Sequence, residues 1–257
     1  MRRRAGGRPA AVFIALVLTG IHLGGCTSPT VAPSLDDSPA SEALLIVIET
    51  VPADEPLRGE DLYPLTTGQW VYQIVDDDRA RGQVVHTISP TDRPNALVSL
   101  DKGEERTEFW GRSEAGNIVM PASIEHAKNA LTVFDPPLPI APPLLAPGEP
   151  FESSADMQVL DSRNPKRRRE NGRGTRSLEY VDDQRIRTPI GEFTAKRVVV
   201  KFHADLRFAD AVEDGTYWVV PGVGVVAQEH SEEIRVLGLV SERTGVRVVL
   251  IEKRSGN

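Results

Sequence analysis

Along most of this chain apolar and polar residues alternate with a period of two, and no segment sustains the 3.6-residue stripe of an amphipathic helix. The pattern predicts strands. Trp70, Tyr72 and Ile74 share one face of a strand that begins after Gly68. Residues 83–89 return after a turn at Asp76-Asp77-Asp78 and Gly82. Residues 95–101 and 104–110 read as a hairpin about Lys102-Gly103, with weaker strands at 117–120 and 130–134. Further on, 157–160 and 176–181 flank a basic loop, and Arg187–Ile190 turns through Gly191 into 193–204. Lys196, Val198, Val200 and Phe202 share one face of that strand. Strands at 216–220 and 223–230 follow, and 234–240 with 246–252 form a last hairpin about Arg243-Thr244-Gly245. The 20 prolines and 21 glycines suit turns and short strands, so helix content is expected to be low.

Two stretches break the alternation. Residues 135–147 hold six prolines, which exclude a helix and a central strand. With apolar residues between the prolines, 135–150 reads as a polyproline-like crossing within one β domain of residues 62–257, with a domain boundary as the alternative. The other is Ala43-Leu-Leu-Ile-Val-Ile48, which fits a buried strand, a short helix or an exposed docking strand.

The N-terminus has the layout of an export signal. Arg2, Arg3, Arg4 and Arg8 precede a short apolar run from Ala10 to Ile21. That run is shorter than the ~20 residues of a membrane span. It ends in Leu23-Gly24-Gly25-Cys26, which resembles the bacterial lipobox. Residues 1–25 are therefore expected to be a signal peptide, Cys26 the lipidated residue and 26–61 a flexible tether. Thr27, standing where an inner-membrane retention aspartate would be, favours the outer membrane, facing the periplasm. Cys26 is the only cysteine, so no internal disulfide or thiolate metal cluster can form.

Charge sharpens the picture. Without the four leader arginines the 30 basic residues fall to 26 against 37 acidic ones, and the formal charge moves from −7 to −11. Such a body offers no global attraction to nucleic acid. Lys166-Arg-Arg-Arg169 with Arg173 and Arg176 is the one strong local charge feature. It reads as a solvated hairpin loop about Asn171-Gly172, with docking to anionic headgroups or envelope polymer as the functional alternative.

Catalytic signatures are missing. His86, His126, His203 and His230 lack the short spacing of zinc ligands, and Asp76-Asp77-Asp78 lacks the spacing of a calcium loop. Gly222-Val-Gly224 sits between strands, with no helix to hold phosphate. No Gly-x-Ser-x-Gly elbow occurs. No metal, cofactor or catalytic residue is expected.

Three islands carry a resemblance: Tyr63-Pro-Leu with Gly68-Gln-Trp-Val-Tyr72, Thr188-Pro-Ile-Gly-Glu-Phe193, and Tyr217-Trp-Val-Val-Pro-Gly-Val-Gly-Val-Val226. They resemble the turn-and-strand motifs of uncharacterised bacterial lipoproteins of the DUF3108 and TapB-like groups. Ile190 stands where those proteins have Ala, and Ala227 where they often have Lys. The resemblance implies a curved, largely antiparallel sheet, a half-barrel or open barrel like those of lipoprotein carriers, and no established reaction. The expectation is a lipid-anchored, non-enzymatic binding or scaffolding protein. Its concave face would hold an apolar ligand on Trp70, Tyr72, Phe202 or Trp218, and an envelope protein or a lipid would be its partner. Two alternatives stand beside it: a polymer hydrolase with carboxylates such as Asp205, Asp210 or Glu213, and an assembly factor docking by a sheet edge or by residues 43–48.

Overall fold

The computed structural model describes residues 44–76, 79–237 and 239–255. The signal peptide, Cys26, most of the tether and the Asp77-Asp78 turn lie outside them. In chain order the elements are β1 (Ile46–Val51), β2 (Leu57–Arg58), α1 (Gly59–Leu62), β3 (Gly68–Asp76), β4 (Arg79–Pro90), β5 (Val98–Asp101), β6 (Arg106–Arg112) and β7 (Ile118–Glu125). There follow β8 (Ala130–Ala141), β9 (Leu144–Leu145), β10 (Phe151–Asp161), β11 (Asn164–Thr188), β12 (Gly191–Leu206), β13 (Ala209–Val220), β14 (Gly224–Val236) and β15 (Leu239–Ser255).

The expected mainly β, antiparallel, curved sheet is what forms, and it closes on itself. From β3 to β8 and from β10 to β15 each strand pairs antiparallel with the next, and β8 pairs with β10. The ring is completed by β15 against β3, from Arg247↔Val75 to Ser255↔Gly68. Closure leaves no free edge around the ring. β1 lies outside it, pairing with the last part of β11 where the β10 ladder has ended.

Alternation decides which side chains face inward. On β12, Lys196, Val198, Val200, Phe202, Ala204 and Leu206 are buried while Lys201, His203 and Asp205 are exposed. Gly172 of β11 meets the same strand so closely that a Cβ there would collide with the Asp205 carbonyl oxygen. Gly172→Ala is expected to lower the urea midpoint by the equivalent of about 1–3 kcal/mol. An unchanged midpoint would show that β11 and β12 can separate there at no cost.

One end of the barrel is plugged by the segment before β3. Leu57 pairs with Leu145, and Gly59 N–H donates to the Pro143 carbonyl at 3.1 Å. Leu57 and Leu62 are buried. Lys196 Nζ donates to the Glu55 carbonyl at 3.0 Å and to the Tyr180 hydroxyl at 2.9 Å, tying the plug to β11 and β12. The part of the tether from residue 46 onward is therefore paired or plugged, because Leu57 and Leu62 find a core. The apolar run gives a strand whose Val47 and Ile48 are exposed, not a buried strand or a helix.

Three other expectations change. The basic stretch lies inside β11, and the turn before it falls at Ser162-Arg163. Asn171 and Gly172 are paired with Gln158 and Met157, so the glycines there serve close strand approach. The last hairpin turns near Leu237, with Gly245 inside β15. The proline segment is strand as far as Ala141. It keeps its ladder to β7, while that to β10 stops at Asp135 because proline brings no N–H. The Pro139 carbonyl instead accepts from the Ser153 hydroxyl at 2.6 Å.

Candidate functional site

Inward positions of several strands, Ile140 of the proline segment among them, converge on a partly open cavity of about 90 Å3. β6 supplies Arg106, Glu108 and Trp110 at alternate positions, all buried, and the turn before it supplies Lys102. β3 and β4 add Trp70, Tyr72 and His86, β11 adds Arg176, and β13 adds Glu213 and Tyr217. The plug closes the floor with Tyr63, whose ring meets Trp110 edge-on at 5.2 Å between centroids. Indole and phenol groups are fixed by backbone carbonyls. Trp70 Nε1 donates to Val223 at 3.0 Å and Tyr72 OH to Val225 at 2.9 Å. Gly224, with φ +104°, lets the β13–β14 corner come within reach of Trp70.

Charge is concentrated here. Lys102 Nζ donates to Glu108 Oε1 at 2.8 Å and Trp110 Nε1 to Glu108 Oε2 at 3.1 Å. Arg106 Nε lies 3.4 Å from Glu108 Oε1. Burial works against the Glu108 carboxylate, but Lys102 and Arg106 with these hydrogen bonds hold its pKa down at about 2. Burial pushes His86 down to about 3, with Lys102 adding to it. Arg176 donates to the Tyr63 hydroxyl and stands over its ring. Burial raises Tyr63, Tyr72 and Tyr217 above the usual phenol range.

His86, Lys102 and Gln228 also line a wider recess of about 600 Å3 at the end opposite the plug. Its wall includes Glu105, Glu125 and His230. Burial lowers His230 to about 4, and Gln228 contacts its Nδ1 at 3.0 Å. Beyond it, Glu232 stands directly across from Glu213 on β13, and burial raises it to about 8.

Of the four aromatic residues expected to bind, Trp70 and Tyr72 line the cavity. Phe202 is buried under a different, shallower recess, and Trp218 points to the other side of β13 and donates to Gln184 Oε1 at 2.8 Å. The three suggested hydrolase carboxylates do not converge. Asp205 and Asp210 stand cross-strand on the outer face with His203, while Glu213 faces the cavity. Lys102, Arg106 and Glu108 carry no motif that marks a site, and Arg176, read from the sequence as part of the basic loop, faces the cavity. Their signal is parity: Arg106 and Glu108 share a strand face with Trp110, so they enter the core with it. Among the described residues no group of three or more His, Cys, Asp and Glu side chains could hold a metal ion. No helix among them is long and apolar enough to cross a membrane.

No family model and no curated protein matches the chain, so the resemblance on the three islands rests on those motifs alone. Among solved structures, one described as a "putative lipoprotein" from Parabacteroides distasonis aligns over 74% of this chain and 95% of its own, at 14% identity. Its TM-score of 0.34 is too low for an argument about fold or function.

Proposed function

We propose that this chain is a lipid-anchored protein of the cell envelope, held at the outer membrane through Cys26 and facing the periplasm, whose barrel is a non-enzymatic binding module. The observation that carries the binding reading is the cavity inside the barrel, lined by charged and aromatic side chains. Its small volume and its buried ions argue for a small polar ligand in place of a lipid chain. The anchor reading rests on Leu23-Gly-Gly-Cys26 behind an export signal.

Membrane fractionation tests the anchor. The wild-type protein is expected to sediment with membranes and Cys26→Ala to appear in the soluble periplasmic fraction. Cys26→Ala remaining with the membrane would refute lipid anchoring through that residue. Native mass spectrometry of the protein purified from membranes tests the binding module. Adducts of low mass are expected, and a bare mass under every growth condition would leave a scaffold.

A further inference from the structure

The cavity lining holds three cations, Lys102, Arg106 and Arg176, against two carboxylates, Glu108 and Glu213, with His86 neutral. Lys102 is satisfied by Glu108. The guanidinium groups are not fully used. Among the described residues the buried Nε–H of Arg106 and that of Arg176 find no hydrogen-bond acceptor, and Arg106 is only 6% exposed. Glu108 Oε1 lies 3.4 Å from Arg106 Nε but without hydrogen-bond geometry. Buried donors without partners are costly, and an acceptor group placed in the cavity would satisfy both.

We infer that this cavity binds a small organic carboxylate, its oxygens accepting from Arg176 and Arg106 and its short carbon chain lying against the apolar part of the wall. The inference rests on the binding-module reading above. Two guanidinium groups meeting at one cavity suit an anion with two oxygens. Ile88, Leu100, Met120 and Ile140, with the rings of Trp70 and Trp110, complete the lining. An inorganic oxyanion would set charged oxygen against that surface, whereas a carboxylate presents carbon to it. A volume of about 90 Å3 favours a small ligand over a lipid chain. Entry is from the wide recess, past His86, Lys102 and Gln228.

Two of the three tryptophans line the cavity, so intrinsic fluorescence reports its occupation. The full-length protein, purified in a non-ionic detergent, is titrated with sodium propionate at constant ionic strength set by chloride. A saturable change is expected, weakened about tenfold or more in Arg176→Met, whose folding is checked by circular dichroism. Should that variant lose the barrel, Arg176→Lys keeps the charge and removes the fork, and weaker binding is again expected. The inference is overturned by a folded wild type with no saturable response up to about 100 mM propionate, or by undiminished binding in the Arg176 variants. Inorganic phosphate displacing propionate at equal concentration would overturn the carboxylate class. None of these outcomes touches the fractionation of Cys26→Ala, so failure of the ligand and failure of the anchor are read separately.

Discussion

Glu108→Ala is expected to cost the barrel about 3–5 kcal/mol, the range for removing one partner of a buried ion pair. The carboxylate accepts from Lys102 and Trp110 and lies against Arg106, with both cations largely out of water. Alanine would leave two buried cations without their nearest counter-charge and the Trp110 indole N–H without its acceptor. Glu108→Gln keeps an acceptor for Trp110 and loses the charge, so it should fall between alanine and wild type. The measurement is the urea midpoint and slope of the three proteins by tryptophan fluorescence. A loss below about 1 kcal/mol, the scale of an exposed pair, would mean that the cluster is solvated.

The second large effect is a stability maximum near pH 6.5. Glu232 keeps its proton in the folded protein up to about 8, whereas an ordinary glutamate loses it near 4.5. Between those values the folded state binds more protons, so stability falls as pH rises. His230 and His86 act in the opposite direction. In the unfolded chain they take up protons near 6.5, but in the barrel only near about 4 and about 3, so stability falls as pH drops below 6.5. Two histidines outweigh one glutamate between 4.5 and 6.5, and above 6.5 the glutamate acts without them. Glu105, also raised by burial, opposes the histidines from 4.5 upward, and Glu108, held at about 2, adds to the acid loss below 4.5. Lys128, Glu213, Glu125 and Arg106 all face Glu232, and burial outweighs their mixed signs. From pH 6.5 to 8 the Glu232 contribution amounts to about 2 kcal/mol, at ~1.36 kcal/mol per unit. Thermal melts across that range should show the fall in wild type and a much flatter profile in Glu232→Gln. An unchanged slope in that variant would place the titration elsewhere.

Most of the strands were legible because alternation is a local signal. Trp70 with Tyr72, and Val198 with Val200 and Phe202, point inward as their spacing requires. Closure was not legible: it depends on Gly68–Asp76 meeting Leu239–Ser255, and neither strand carries a mark of its partner. The proline segment misled because proline forbids only the bonds it cannot donate, so a strand with one ladder survives. The basic stretch misled because Asn171-Gly172 also suits a turn, and here the glycine serves the approach of β12. The site was hidden for a related reason. Charged residues at Lys102, Arg106 and Arg176 read as surface until the strands place Arg106 beside Trp110 and bring β11 to the same interior. The missing information was long-range, not chemical.

Ring closure bears on the order of assembly. Each neighbouring pair is a hairpin or a short connection except β3 with β15, whose partners stand some 170–190 residues apart. Local hairpins can form as soon as their residues emerge, but that last seam waits for the final strand. Until then Lys102, Arg106, Glu108 and Arg176 face water and exert no penalty on the chain. A barrel sealed by its last strand stays open until the whole chain is available, and its charged interior is withdrawn from water in that final step.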